Sequence, residues 1–388
     1  MSLEEIKRKL LQDVERLKVP MGYLNAGYPR YNTLFGRDSL ISAWQMLKID
    51  LSVAKASLGI LANYQGKKVG LLSEEEPGKI LHEHRFTFKE KQELPDWGFP
   101  YYGSVDSTSL FIVLATEYLR ETGDKTFILR IMNNLLAAFM WIKKYGDIDG
   151  DGYVEYERKN PHGLFHQGWK DGVTDHLKIK PPVAIVEVQG YVYAAYLDIA
   201  FLTKILGKNG VSKEALRRAH LLRENFNRDF WMKEKRFFAL ALDREKKQRK
   251  AITSNPGHLL FAGIVSDDKV KSLISRLFKP DLWTLYGMRN HSSKEPDFDP
   301  YNPHLGCIWP HDNWIIHKGL RSLGFVYHAE KIKKALLRAY TELNKMPEFY
   351  AIVNSKIVDL SVSPVKEVLS NPLQAWASAG LLEMIWNN

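Results

Sequence analysis

The chain has 388 residues, one cysteine, a formal net charge of +10 and 45% hydrophobic residues. This composition belongs to a globular protein long enough to bury a sizeable core, and a lone cysteine, Cys307, excludes a disulfide within the chain and fits a reducing compartment. The basic residues lie in scattered short runs (7–9, 246–250, 331–334) with no recognised nucleic-acid module beside them, and no apolar run is long enough to span a membrane, so neither nucleic acid nor membrane is an expected partner and the expected location is the cytoplasm.

Helical periodicity dominates from the start. Residues 1–19 read as a charged amphipathic helix and not as a signal peptide. An aromatic and basic loop, Tyr28-Pro29-Arg30-Tyr31, leads to Leu34-Phe35-Gly36-Arg37-Asp38-Ser39 and then to a helix predicted over 38–60. His82-Glu83-His84 lacks convincing metal-ligand spacing. Phe99-Pro100-Tyr101-Tyr102-Gly103-Ser104-Val105-Asp106-Ser107 precedes helices predicted over 109–122 and 125–145. Asp147, Asp149 and Asp151 begin like a calcium loop, but the twelfth position is Arg158 where an EF-hand needs glutamate, so a tight polar turn holding Tyr153 and Glu155 is expected.

The stretch His166-Gln167-Gly168-Trp169-Lys170-Asp171-Gly172 follows. It sets one carboxylate beside an aromatic plane, a cation and two glycines, a plausible setting for a general acid working on a sugar stacked on Trp169. An aspartate in a turn can also simply bond its own backbone. Lys170 sits awkwardly beside an acid, since a cation lowers a carboxyl pKa, unless the turn sends it elsewhere. Further helices are predicted over 186–206, 212–230, 267–277, 312–323, 329–343 and 372–385, with short strands or hairpins over 237–242 and 349–360. Between them lie Ser254-Asn255-Pro256-Gly257-His258, Trp309-Pro310-His311-Asp312-Asn313 and Met346-Pro347-Glu348-Phe349-Tyr350. Capping explains acidic residues before helices; it does not explain arginine, tryptophan, histidine and tyrosine in the same loops.

Paired helices with informative loops predict an all-α fold, an (α/α)6 barrel or helical toroid with short β elements in the loops. Twelve helices at about thirty residues per helix plus loop match this length. One catalytic domain over 1–388 is expected, with residues 1–20 as a helix leading into it. The sequence sets no oligomeric state.

Taken in order, these loops resemble the amylo-α-1,6-glucosidase part of glycogen-debranching enzymes and its (α/α)6 glycosidase relatives, among them the mannosylglycerate and glucosylglycerate hydrolases and, more distantly, trehalases and glucoamylases. The stretches that carry it are Ala26-Gly27-Tyr28-Pro29, Leu34 to Leu40, Gly103 to Thr108, Asp149 to Tyr156, Gln167 to Asp171, Glu187-Val188-Gln189-Gly190-Tyr191, Ile308 to Asn313, Pro347 to Tyr350 and Gln374-Ala375-Trp376-Ala377. The resemblance implies an inverting glycoside hydrolase that needs no metal or other cofactor. Asp171 matches the family's general acid and Glu348 its general base, with Glu367, Glu187 and Asp312 as rivals. Arg37 and Asp38 match the pair that holds the hydroxyls of the sugar being cleaved. Tyr31, Phe35, Tyr102, Asp106, Trp169, Lys170, Gln189, His258, Trp309, His311 and Asp312 are further candidates for substrate binding.

The leading expectation is a debranching-type glucosidase releasing a terminal α-linked glucose. The alternative is a hydrolase of a small glycoside such as glucosylglycerate, mannosylglycerate or a trehalose-like disaccharide. Gly172 stands where the debranching pattern favours serine, and the chain starts almost directly at the barrel; both favour small substrates. A sugar isomerase using a histidine pair such as His258 and His311, or a non-catalytic sugar-binding toroid, completes the set.

Overall fold

The computed structural model describes residues 1–94, 96–362, 365 and 367–386. Among these, six helices close an inner ring: Gly36–Met46, Ser107–Thr122, Val186–Ile205, Leu259–Ala262, Pro310–Ser322 and Ala375–Trp386, each packed on the next and the last on the first. The fourth is short and follows a 3-10 turn at Asn255–His258. Around them lie the outer helices Leu3–Leu17, Leu51–Asn63, Met132–Trp141, Asn209–Asp229, Asp267–Leu277 and Val326–Leu343. The expected helical toroid is the observed fold.

The two rings differ in sequence because they differ in environment. In Leu3–Leu17 the buried positions are Ile6, Leu10, Val14 and Leu17, a single stripe of helical period, and Ser2 caps the first turn by accepting from Glu5 N at 3.2 Å. Burying a leucine such as Leu10 stabilises by about 2 kcal/mol, so the stripe holds this helix against Ala375–Trp386. The inner Gly36–Met46 helix is instead buried on every side. Close approach of inner helices needs small residues: a Cβ on Gly319 would meet Leu260 Cβ and Phe261 N at 2.6 Å.

The helix predicted over 38–60 is two helices. Its first part ends at Met46 and the second begins at Leu51, because the chain passes from inner to outer ring and Asp50 starts the new helix by accepting from Ser52 N at 2.9 Å. The segment predicted over 125–145 breaks at Ile131 and ends in a π turn, Ile142–Gly146. The 349–360 segment forms the expected hairpin, Ala351–Val353 with Lys356–Val358. Within 237–242, Phe237–Phe238 pairs with Trp231–Met232, while Ala241–Leu242 pairs with Ala184–Ile185 and Gln248–Arg249. Gly27–Tyr28 pairs with Leu373–Gln374, joining the two ends of the ring.

The inner helices run in one direction. Their first turns gather at one mouth of the bore, and their last turns open onto a second cleft of about 500 Å³ at the other, lined by Trp44, Glu117, Asp198, His317, Lys318 and Glu383. Among the described residues no helix is long and apolar enough to cross a membrane.

Candidate active site

At the first mouth lies a cavity of about 560 Å³. Eight of the residues singled out in the sequence line it together: Tyr31, Phe35, Arg37 and Asp38 from the first turn-and-helix unit, Trp169 and Asp171 from the glycine-flanked turn, and Trp309 and Glu348 from the C-terminal half. Glu367 stands exposed at the rim.

The glycine-flanked turn closes on itself. His166 N donates to Gly172 O at 3.1 Å and Gly172 N returns to His166 O at 3.3 Å, so Asp171 is carried at the tip of a short hairpin. Its side chain is 30% exposed, towards the cavity. Arg37 ties the turn to the helix start behind it through three different nitrogens: Nη1 donates to Asp171 Oδ2 at 2.8 Å, Nη2 to Gly168 O at 2.9 Å and Nε to Asp106 Oδ2 at 2.7 Å. Burial pushes the Asp171 carboxyl up, Arg37 pulls it back, and the net direction is upward.

Glu348 faces the same space, and no cation among the described residues is bonded to it. Asn371 N donates to its Oε2 at 3.1 Å. Burial raises this carboxyl to about 8 against that hydrogen bond, and Asp38 and Asp171 push it further while Arg30 opposes. Asp38 is buried and accepts from Gln374 Nε2 at 3.0 Å; burial, against Arg37, lifts it to about 7. Asp38, Asp171 and Glu348 thus share one cavity, and burial, reinforced by their mutual repulsion, keeps protons among them. In the free site the proton favours Glu348, while Arg37 favours the ionised form of Asp171. This is the reverse of the proton distribution that their implied roles need at the moment of reaction.

The floor is aromatic and closed. Trp169 is only 2% exposed: His258 stacks on it at 5.9 Å, Lys170 Nζ lies over its ring at 5.2 Å, and His311 and Trp309 meet it edge-on at 5.0 and 5.8 Å. The open stacking face expected of Trp169 is therefore covered. Exposed aromatic surface comes instead from Tyr31, 40% exposed, and from Trp97, which stacks on Tyr101 at 4.0 Å.

The other candidates for substrate binding do not line the cavity, and each has a packing reason. Lys170 is drawn inward, donating to Asn290 O at 2.7 Å, which removes the awkward cation from beside Asp171. His258 and Asp312 bond each other at 2.7 Å below the floor, and Tyr191 closes on the other ring nitrogen of His258 at 2.5 Å. His311 stacks on Trp376 at 3.8 Å. The histidine pair that an isomerase would use is thus sealed under Trp169. Gln189 ties Val154 and Ile185 through backbone bonds, and Tyr102 donates to Tyr64 O at 2.6 Å. Asp106 stands behind Arg37 with no exposure. Of the rival bases, Glu187 is fully buried outside the cavity lining.

Several lining residues escaped the sequence reading. His82 and Glu83 come from an alternating segment that carried no metal-site spacing; His304, Trp97 and Arg85 sit singly in loops. Gln374 was visible only as part of a matching motif. The acidic turn after Ile142–Gly146 forms as expected: Asp147 accepts from Gly150 N and Gly152 N at 2.9 and 3.2 Å. The Lys246 ammonium sits among its carboxylates, 2.7 Å from both Asp149 and Asp151 and 2.5 Å from Glu155.

Residues 31–354 match the mannosylglycerate hydrolase MGH1-like glycoside hydrolase domain, and the chain belongs to that family. No curated protein matches the sequence. Among solved structures, the GH63 mannosylglycerate hydrolase from Thermus thermophilus in complex with Tris is similar over 99% of this chain and 100% of its own, at 15% identity and a TM-score of 0.73. The same enzyme in complex with glucose gives 15% identity and a TM-score of 0.72 over the same shares. A variant of a protein described as a glycosidase gives 14% identity and 0.68, covering 98% of this chain and 95% of that one. At such identities the shared property is the helical toroid. The family match makes the chain a glycoside hydrolase, and it favours the small-glycoside alternative over the debranching expectation, for which these comparisons offer no support.

Proposed function

We propose that this protein is an inverting hydrolase of a small α-glycoside, releasing one terminal sugar from a low-molecular-weight hydroxy acid or polyol. The observation that carries the reading is the blind cavity holding both Asp171 and Glu348 above a sealed aromatic floor. A closed floor admits a chain end and not the middle of a polymer, and the cavity has the size of a small-molecule site. Arg30 lines it and has no carboxylate partner among the described residues, which suits an acidic aglycone such as the D-glycerate bound in a complex of the Thermus enzyme.

In this reading Asp171 transfers its proton to the glycosidic oxygen as the bond from that oxygen to the anomeric carbon breaks. Glu348, ionised, takes a proton from a water that attacks the same carbon from the opposite face. The products are the free sugar with inverted anomer and the free alcohol, with Asp171 ionised and Glu348 protonated until solvent resets them. The two carboxyls of such a pair stand roughly 6.5–9.5 Å apart.

A second reading exchanges the roles, because the free site already holds its proton on Glu348 and an ion pair on Asp171. Glycosyl fluorides separate the two, since fluoride departs without an acid. The test uses mannosylglycerate, glucosylglycerate, trehalose, isomaltose and branched limit dextrin, followed by NMR of the anomer first formed, and then α-mannosyl and α-glucosyl fluoride. Expected are cleavage of a glycerate glycoside with inversion, and an Asp171→Asn variant that keeps activity on the fluoride alone. Cleavage of limit dextrin only, or a retained anomer, overturns the proposal; fluoride activity surviving in Glu348→Gln but not in Asp171→Asn exchanges the roles.

A further inference from the structure

Asp106 is the last residue before the inner helix Ser107–Thr122, the position where an aspartate ordinarily accepts from the first turn of the helix it precedes. It makes no such bond. Its side chain is wholly buried, and its two oxygens go elsewhere: Oδ2 to Arg37 Nε at 2.7 Å and Oδ1 to Ser104 Oγ at 2.8 Å. Giving up a cap is destabilising, and a buried charge is tolerated only when paired. What the arrangement provides instead is a fixed guanidinium.

Each of the three nitrogens of that guanidinium is engaged. Arg37 is 3% exposed, and its planar fork directs one nitrogen each to Asp106, Asp171 and Gly168. The resemblance implies that Arg37 binds hydroxyls of the cleaved sugar; its geometry faces it towards the acid. With Oδ2 of Asp171 held by Nη1, only Oδ1 is left without a bond to the described residues.

We infer that Asp106 is a positioning residue for the general acid: through Arg37 it locks the turn and leaves Oδ1 of Asp171 as the one oxygen that presents the proton to the leaving group. The inference rests on Asp171 being the acid. Asp106 also balances the charge of Arg37, so that the arginine orients the acid without stripping its proton. The other charged or titratable groups facing Asp171 are Asp38 beside Arg37, Glu83 on the adjoining strand, Glu348 across the cavity, and Tyr31, Tyr101 and His304 around it. Asp106 differs from all of these in bonding the guanidinium through its Nε, on the side away from the cavity.

The test is Asp106→Asn, which keeps shape and a hydrogen-bonding oxygen and removes the charge. Expected is a fall of about 10- to 100-fold in kcat/KM on the glycerate glycoside that wild type cleaves, within the range for a disturbed proton donor. The rate on the matching α-glycosyl fluoride should change less than about 3-fold, because that reaction needs no acid. Loss of a negative neighbour should draw the shared proton of the pair further from Asp171, lowering the plateau of the kcat/KM profile on the glycoside below about pH 8 and leaving its alkaline limb in place. Equal losses on both substrates would make Asp106 merely structural and overturn the inference. If Asp106→Asn does not fold, Ser104→Ala carries the same comparison at smaller amplitude, since it frees Oδ1 of Asp106 without touching the cavity lining. Failure of the underlying reading looks different: Asp171→Asn then loses fluoride and glycoside activity alike.

Discussion

Acidic residues gather at both mouths of the bore, and their circumstances are opposite. At the far mouth Glu117 accepts from Trp44 Nε1 at 3.2 Å and from Arg120 at 2.8 Å, and Lys318 stands 3.7 Å away; burial pushes this carboxyl up, yet these partners together hold it below its ordinary value. Glu383 accepts from Trp314 Nε1 at 3.0 Å, and Asp198 pairs with Arg120 at 2.9 Å, although burial still lifts Asp198 to about 7. At the catalytic mouth Glu348 has a single backbone hydrogen bond and a carboxyl raised to about 8, and Asp38 has one side-chain partner. The far acids stand on inner helices and meet cations or indole donors; at the catalytic mouth Asp38 opens an inner helix and Glu348 stands in a loop, each lifted by burial. One end is built for stability, and at the other stability is given up for reactivity.

Substitutions at the catalytic mouth should break this comparison most sharply. Asp171→Asn should lower kcat/KM on the cleaved glycoside by about 10²- to 10⁴-fold, with thermal unfolding close to wild type. Glu348→Gln should lose activity on a similar scale while gaining stability over wild type with rising pH. The sign follows from linkage: an exposed glutamate titrates near 4.3, whereas Glu348 keeps its proton to about 8, so the wild type loses stability as pH climbs through that window and the glutamine variant does not. Denaturant unfolding should find the two alike at about pH 4 and the variant more stable at about pH 9, by an amount of the order of a few kcal/mol. A variant less stable at both pH values removes Glu348 from the acids at which stability is given up.

The pH profile sharpens the same contrast. With the proton favouring Glu348 and needed on Asp171, the reactive distribution is a fixed minority of the singly protonated pair. kcat/KM should therefore be level just below pH 8 and fall as pH rises through about 8, where that last proton is lost. A profile still rising at about pH 9 contradicts this.

The far mouth predicts smaller effects of the other kind. Glu117→Gln should leave kcat unchanged and cost about 1–3 kcal/mol in denaturant unfolding, by leaving Arg120 and Lys318 short of an anion. Smallest is Lys246→Met in the acidic turn, which should cost about 1 kcal/mol, since Asp149 and Asp151 regain water and the buried Glu155, already lifted to about 7, takes up a proton.

The first outer helix was legible because it shows one apolar stripe; Ile6, Leu10, Val14 and Leu17 mark their own face. Five of the six inner helices were legible as helices, and the short Leu259–Ala262 was not; the end of the first was also missed, because Ile49 and Leu51 continue the apolar pattern across the turn at Asp50, so the break before Leu51 is decided by the ring and not by periodicity. In the site, Asp171 and Glu348 stood out through motif order. The state of Arg37 did not, since its partners lie 69 and 134 residues away in sequence. Lys170 and Trp169 misled for a related reason: residue type marks them as ligands of a sugar, while the depth of the turn, set by distant contacts to Asn290 and His258, turns them into floor.

The common direction of the inner helices has an electrostatic consequence. Gly36–Met46, Ser107–Thr122, Val186–Ile205 and Pro310–Ser322 all begin at the catalytic mouth without a side-chain cap. Each helix start carries about half a positive charge on its free N–H groups, worth about 0.3–1 kcal/mol to a nearby anion. Aligned macrodipoles therefore sum to a positive field over the cavity and a negative one over the far cleft, where Arg120, Lys318 and Arg321 meet it. The field favours negative charge on any carboxylate at that mouth, so in the proposed mechanism part of the stabilisation of Asp171 as its proton leaves belongs to the topology of the ring rather than to any one side chain.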